Sequence, residues 1–522
     1  MKRIWVVTVA MLSAMVLLMG HGAAASERVP KGKVTVVVAT LGQQLVDPSH
    51  GKNGMMAAIN DHLHAGLIRR SVEGKWTPAL SEGWKISKDG LSWEFTLRKG
   101  AKFHNGDEVT ARDILYAYER CFLPETANPN TKVYERTIEK VEIKDDHLIV
   151  YHTKGPQPML FNTVPFTAGP GNYLQKVGTK GYTDHPVGAG PFKLIKNAVG
   201  EYMQWEAFEG VYDPARVPHV KTLIMRVVPE VATRIAMLKT GEADVVHGVA
   251  GAQIGEINAS PGLRTLSSPS TGCTHLQFLN MNDPKSPFAD RRVRLALAHA
   301  IDRQAVVDKI YFGEALPTAV GGISRAQFGW NPDLQPYAYD PQKAKKLLAE
   351  AGYPNGFEAK IVTYDTTTVP KTPDQMEALA AFFTKVGIKT TVTLMETGIY
   401  TAKFRDKSLA KDCDMAPITM PSSPGYDAGY TTWIFYISKA PYTYIKSPEI
   451  DALFEKSQHI VEPADREQVL RQIQKIAYDE VLGLGTIESH SIFGIGARVK
   501  EWTLQIGSPY LVGLERLVLG EG

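Results

Sequence analysis

Residues 104–108, HNGDE, bring one histidine and two carboxylates together: His104, Asp107 and Glu108. Such a set can hold a divalent metal or run general acid–base catalysis. The flanking residues point elsewhere. Asn105-Gly106 is a strong turn pair. Thr110, followed three residues on by Asp113, approximates a capping box, and Ile114, Ala117, Tyr118, Cys121 and Phe122 form one apolar helical face behind it. Asp107 and Glu108 then lie just ahead of a helix N-terminus, where negative charge is favoured. The stretch is expected to be a corner between a half-buried strand through Trp93, Phe95 and Leu97 and that helix. Other catalytic spacings are missing. The sequence has no GxSxG or HExxH signature, and Gly188-Ala189-Gly190 is too short for a dinucleotide loop. Neither a cofactor, a metal site nor an enzymatic activity is expected.

The elements around this corner belong to a long chain. With 522 residues, 44% hydrophobic and 22% charged, it exceeds one compact core, so two or three domains are expected. Lys2 and Arg3, an apolar run from Ile4 to Met19 and then Ala23-Ala24-Ala25 form a secretory leader, cleaved near Ala25–Ser26. It contains no cysteine to lipidate, so a periplasmic location is expected. Without Lys2 and Arg3 the formal charge of +3 falls by two, which gives no support for nucleic-acid binding. The three cysteines, Cys121, Cys273 and Cys413, permit one disulfide in an oxidising compartment and leave one over.

Strands and helices alternate along the mature chain, the pattern of an α/β architecture. Residues 34–40 read as a buried strand, and VEIKDDHLIVYHT from Val141 as a hairpin. Asp290 caps a helix through Val293, Ala296, Leu297, Ala300 and Ile301. Asp340-Pro341 and Ser447-Pro448 each pair a cap with a proline in the first turn. A long amphipathic helix is expected over Asp465–Leu482, with strands at Lys360–Thr363 and Thr390–Leu394.

Several stretches in order carry a resemblance. PALSEGW at 78–84, WEFTLRKGAKFHNGDEVTARDILYAYER from Trp93, VGAGPFKL, RIAMLKTGEADV, FLNMNDPKSPFADRRVRLALAHAIDRQAVVDKIYFGEA and YDPQKAKKLLAEAGYPNG resemble the family 5 extracellular solute-binding proteins. These are the peptide, nickel and opine receptors of ABC importers. The resemblance implies a two-lobed periplasmic-binding-protein fold (class II, large subtype with an extra domain), whose discontinuous lobes are joined by a two-segment hinge. Mapped here, the N-terminal lobe would combine 27–71, 187–274 and 485–522. The extra domain would span 72–186 and the C-terminal lobe 275–484. The chain would cross near Thr274–Phe278 and Leu482–Ser489. Cys273 and Cys413 would lie at the first crossing and the start of a pocket strand, where they could pair. Cys121 reads as a core thiol.

The implied partners are a peptide-like or other small organic solute and a membrane permease, with the receptor a monomer. In the family's peptide receptors a segment of pattern Y-D-x-A…G-W…D-Y…P carries an aspartate that binds the peptide ammonium. Its counterpart here is Cys413 to Asp427, in which Asp414 fits the strand's own aspartate. Thr419-Met420 replaces Gly-Trp, and the ammonium-binding position falls at or near Ser423. A serine offers a hydrogen bond without charge, which suits a neutral or sugar-like group better than a buried ammonium. Met420, Ser422, Ser423 and Asp427 are therefore implied ligand positions. His64 stands where the family has a tyrosine, Tyr426, Tyr430 and Trp433 offer ring stacking, and Arg405 could meet an anion. His62 and His64, one residue apart, suit a strand-face pair better than nickel or haem ligands. The alternatives are an opine, sugar-conjugate or metal-complex receptor, a ligand sensor for a membrane receptor, and, least favoured, a secreted hydrolase.

Overall fold

The computed structural model describes residues 28–50, 55–366, 369, 371–421 and 426–520, so the expected leader, Ser422 and Ser423 lie outside the described residues. An eleven-stranded sheet runs through most of the chain. Its spatial order is Ile388–Leu394, Phe357–Thr363, Met415–Pro421, Arg264–Phe278, Leu484–Ile495, Val245–Val249, Lys33–Val38, Thr222–Val227, Tyr202–Ala207 and Phe192–Ala198. The short strand Ala315–Pro317 adds to the edge of Leu484–Ile495. Two apolar cores flank this path. One gathers Val34, Val36, Trp205, Leu223, Phe493 and Leu517. The other gathers Leu276, Phe278, Leu297, Phe383 and Met415. A separate antiparallel sheet, Ser81–Ile86, Ser92–Leu97, Leu148–Thr153 and Ile138–Asp145, carries a third core of Trp93, Phe95, Tyr151 and Leu160.

Two strands link the halves. Arg264–Phe278 and Leu484–Ile495 are long, adjacent and antiparallel, and their pairing breaks register between Ser268 and Gly272 and again between Cys273 and His275. A break of this kind bends a ladder and weakens it locally. The first break lies upstream of the expected crossing at Thr274–Phe278.

Local sequence chemistry explains the helices. Asp290 accepts Arg292 N–H at 2.8 Å ahead of Arg291–Ala300, and Asp340 accepts Lys343 N–H at 2.8 Å ahead of Pro341–Glu350. Ser447 caps Pro448–Gln458. Thr110 and Asp113 form a reciprocal capping box on Ala111–Arg120, with Thr110 N–H donating to Asp113 Oδ2 at 2.9 Å. The HNGDE corner is consumed by its own turn. Asp107 N–H donates to Asn105 Oδ1, Asn105 Nδ2 donates to Asp107 Oδ2, and Glu108 accepts Gly100 N–H at 2.7 Å. His104 bonds Gly190 O through Nε2 at 3.0 Å, and burial pushes its pKa down to about 3.

Gly188 and Gly190 have a packing role. A Cβ on Gly188 would stand 1.8 Å from Leu63 O, and one on Gly190 would stand 2.4 Å from His62 O, so the helix Met56–Leu63 ends directly on this backbone. The expected pairing of Cys273 with Cys413 is not found, and both are buried thiols. Cys273 lies opposite Met420 in the ladder, which places Cys413 roughly 20 Å away along the neighbouring strand. A disulfide needs Cα atoms within about 7 Å. Cys121 is buried, as its helical position implies, with its thiol on Ala117 O.

Candidate functional site

The gap between the two halves of the sheet holds a cavity of about 870 Å³. Its position follows from the pairing of Leu484–Ile495. Along one edge, residues 492–495 pair with Val245–Val249, whereas residues 487–489 pair with Ala315–Pro317. His490 and Ser491 fall between these two partner strands. Ser489–Ile492 and Thr271 line the cavity there, on the two long strands. One wall comes from Leu45, His50, Met55 and Met56, the segment His247–Gly251 and Tyr510. The facing wall comes from Ile310, Tyr311, Glu314, Lys371 and Pro421.

Buried polar contacts fix the first wall. The carboxylate of Asp47 meets the Arg120 guanidinium at 2.5 Å, both side chains being buried, and accepts Ser49 N–H at 2.9 Å. Burial pushes the Asp47 carboxyl up, but Ser49 N–H and Arg120 outweigh it and hold the pKa below the usual value. His50 Nδ1 bonds Thr126 O at 2.6 Å, and Asn128 Nδ2 donates to Ser49 O at 2.7 Å. The turn at 124–129 is therefore tied to the segment 47–50, and both reach the cavity. His247 Nε2 bonds Pro509 O at 3.0 Å, and burial keeps that ring on the neutral side of its ordinary value.

Glu314 of the facing wall meets His490 of the long strand Leu484–Ile495 in a polar contact. His490 Nδ1 lies 2.9 Å from Ser267 Oγ and 3.3 Å from Glu314 Oε2, while His490 N–H donates to Glu314 O. The His490 bond holds the Glu314 carboxyl below its usual range, and Ser267 adds to this against the effect of burial. An ionised Glu314 favours the tautomer that carries the proton on Nδ1. Serine and carboxylate share that one nitrogen. A hydrolytic triad needs them on opposite nitrogens, so this arrangement cannot relay a proton away from Ser267. Lys371 is paired with Asp374 at 3.1 Å.

None of the described residues expected at the ligand lines this cavity. Met420 comes closest: it precedes Pro421, which does, and is itself buried opposite Cys273. His64 is buried with Nε2 on Val46 O at 2.8 Å. Asp427 is put to another use. Its two oxygens take the Arg466 guanidinium at 2.8 and 2.9 Å, and it caps the helix Ala428–Phe435 through Gly429 N–H. Tyr426 is buried with the Arg70 guanidinium 4.3 Å from its ring centroid, and Trp76 holds the same group at 3.8 Å. Tyr430 and Trp433 contact each other with their rings tilted by 51°, centroids 5.7 Å apart. Arg405 is exposed and bonds Tyr442 Oη. Sequence reasoning passed over Glu314, His490 and His247. The only local signal was the alternation in ESHSIF, which places Glu488 and His490 on one strand face without saying what they face.

A family profile for bacterial extracellular solute-binding proteins, family 5 Middle, matches residues 75–441. Heme-binding protein A of Haemophilus influenzae is 27% identical over 470 residues, 83% of this chain and 82% of that protein. Glutathione-binding protein GsiB of Salmonella choleraesuis is 30% identical over 378 residues, 71% of this chain and 72% of that protein. Among solved structures, HbpA2 of Haemophilus parasuis superposes with a TM-score of 0.81 at 23% identity, over 94% of this chain and all of that one. The matching fold is the two-lobed one, with the cavity in the cleft between lobes. The chain belongs to the bacterial extracellular solute-binding proteins, family 5.

Proposed function

We propose that this protein is an exported, monomeric receptor that takes a peptide-like or other small organic solute into the cleft and delivers it to the permease of an ABC importer. The observation that carries the reading is the 870 Å³ cavity, walled by both halves of the sheet and floored by the two strands that join them. That volume falls in the range of sites that bury most of a small organic molecule, about 300–1,000 Å³. Rotation about the joining strands would bring the walls together and change the outer face that a permease meets.

The wall chemistry narrows the solute. Among the described residues, the charged side chains that line the cavity are Glu314, held by His490, and Lys371, held by Asp374. The remainder is largely apolar side chains, tyrosines and backbone. This favours a solute recognised through neutral polar groups and apolar contacts over one that needs a dedicated counter-ion. Binding without catalysis is supported by the shared Nδ1 geometry of Ser267, Glu314 and His490. The GsiB relative makes glutathione the first probe; its size suits the cavity, whereas its ammonium and two carboxylates would have to be met by neutral groups or by Glu314 and Lys371. A haem-type solute is the second reading, supported by the heme-binding relative and by three histidines in the cavity wall, His50, His247 and His490.

The test is native mass spectrometry of the exported protein, followed by thermal shift with glutathione, short peptides and haemin. A retained peptide-like mass, or a melting shift of several degrees with glutathione or a peptide, is expected. A shift with haemin alone would favour the second reading. Turnover of any bound compound would overturn both.

A further inference from the structure

The helix Arg303–Ile310 ends in an unusual way. Its C-cap is Tyr311, and Phe312 then takes the left-handed backbone conformation, with φ of 54°. That position normally goes to glycine. Here the glycine comes one residue later, at Gly313, also with positive φ. A bulky aromatic in this region is held there by its surroundings at a conformational cost. Phe312 is also half exposed, so core burial does not account for it.

Its ring has a defined contact. It reaches across the gap between Val245–Val249 and Ala315–Pro317 and lies against Gly251, where an added Cβ would sit 3.4 Å from Phe312 Cε2. Gly251 has φ of 60° and ψ of −134°, a conformation reserved for glycine, so the surface offered to the ring is bare backbone. Tyr311, Glu314, Ala250 and Gly251 all line the cavity, and Phe312 joins the two pairs. The base of the turn is fixed by Glu314 on His490 and by Gly313 N–H on Val307 O. The ring does not itself line the cavity; it lies behind the four lining residues and spans the gap between the two walls.

We propose that Phe312 is a specificity-determining residue that closes this end of the cleft against Gly251 and limits how far a bound solute extends. This rests on the reading of the cleft as the solute site. Removing the ring frees a length of roughly one residue of extended chain, at about 3.3 Å per residue.

Wild type, Phe312→Ala and Phe312→Gly are to be compared by calorimetry against glutathione and alanine peptides of increasing length. The glycine variant accepts the backbone conformation without strain, so its melting temperature is expected at or above that of Phe312→Ala and guards against misfolding as the cause. Both variants are expected to bind peptides beyond the wild-type length limit about tenfold more tightly than wild type does. An unchanged length limit overturns the proposal. If no protein binds any probe, the peptide reading fails, and hydrogen exchange without ligand decides the role of Phe312. Amides of residues 250–252 should then exchange about tenfold faster in both variants, with Val245 and Val246 unaffected. Unchanged exchange overturns the closure of this end.

Discussion

Asp427 shows how one side chain's role depends on a partner far away in sequence. On a loop it reads as a carboxylate available to a ligand. In the fold it is buried against Arg466, itself almost fully buried. Breaking such a pair from one side strands a charge in the interior. Asp427→Asn is therefore expected to cost about 3–5 kcal/mol in denaturant unfolding, independent of any solute. A loss below about 1 kcal/mol would return Asp427 to the list of ligand groups. His275 is the complementary case, a buried polar ring without charge compensation. It stacks on Tyr436 with centroids 5.0 Å apart, and neither ring nitrogen has a hydrogen-bond partner among the described residues. Burial lowers its pKa from 6.5 to about 3. The unfolded chain takes up a proton below pH 6.5 that the folded protein refuses. The stability it contributes is full above pH 6.5 and falls toward pH 3, by up to about 1.4 kcal/mol per pH unit. Urea unfolding across pH 7 to 4 should show a shallower acid loss in His275→Leu than in wild type. Equal slopes would refute this.

At the scale of elements, glycines decide where backbones touch. Helix Met56–Leu63 ends against Gly188 and Gly190, so Gly188→Ala forces the helix off the sheet that follows. We expect at least about 3 kcal/mol of destabilisation or loss of the folded protein. Gly255, inside the helix Ala252–Asn258, meets nothing within 4 Å. Gly255→Ala should instead raise stability by about 0.5–1 kcal/mol, through helix propensity and a less flexible unfolded chain. Thermal unfolding of the two variants beside wild type separates these outcomes, and a neutral Gly188→Ala would remove the close-approach argument. The caps explain why helix positions were readable in advance. Asp290, Asp340, Ser447 and the Thr110–Asp113 pair each satisfy N–H groups within three residues of themselves, so the information is local.

At the scale of the whole molecule, the two lobes are joined where Arg264–Phe278 and Leu484–Ile495 lose register, and the cavity lies on that joint. Paired strands resist stretching but bend where the ladder is interrupted. Saturating solute is expected to reduce the radius of gyration in solution scattering, as the walls close on it. An unchanged radius, with binding established by calorimetry, would mean that this joint does not act as a hinge.

The sequence by itself determined the α/β alternation, the helix starts, the corner at HNGDE and the family, because caps, turns and apolar periodicity are written within a few neighbouring residues. It placed the ligand on the Cys413–Asp427 segment by resemblance. Only the tertiary structure decided that Asp427 belongs to Arg466, that Cys273 faces Met420, and that Glu314, Ser267 and His490 meet at a gap between two strand ends. These contacts join residues 39 to 223 positions apart. Their existence depends on strand order and register, which no local pattern encodes.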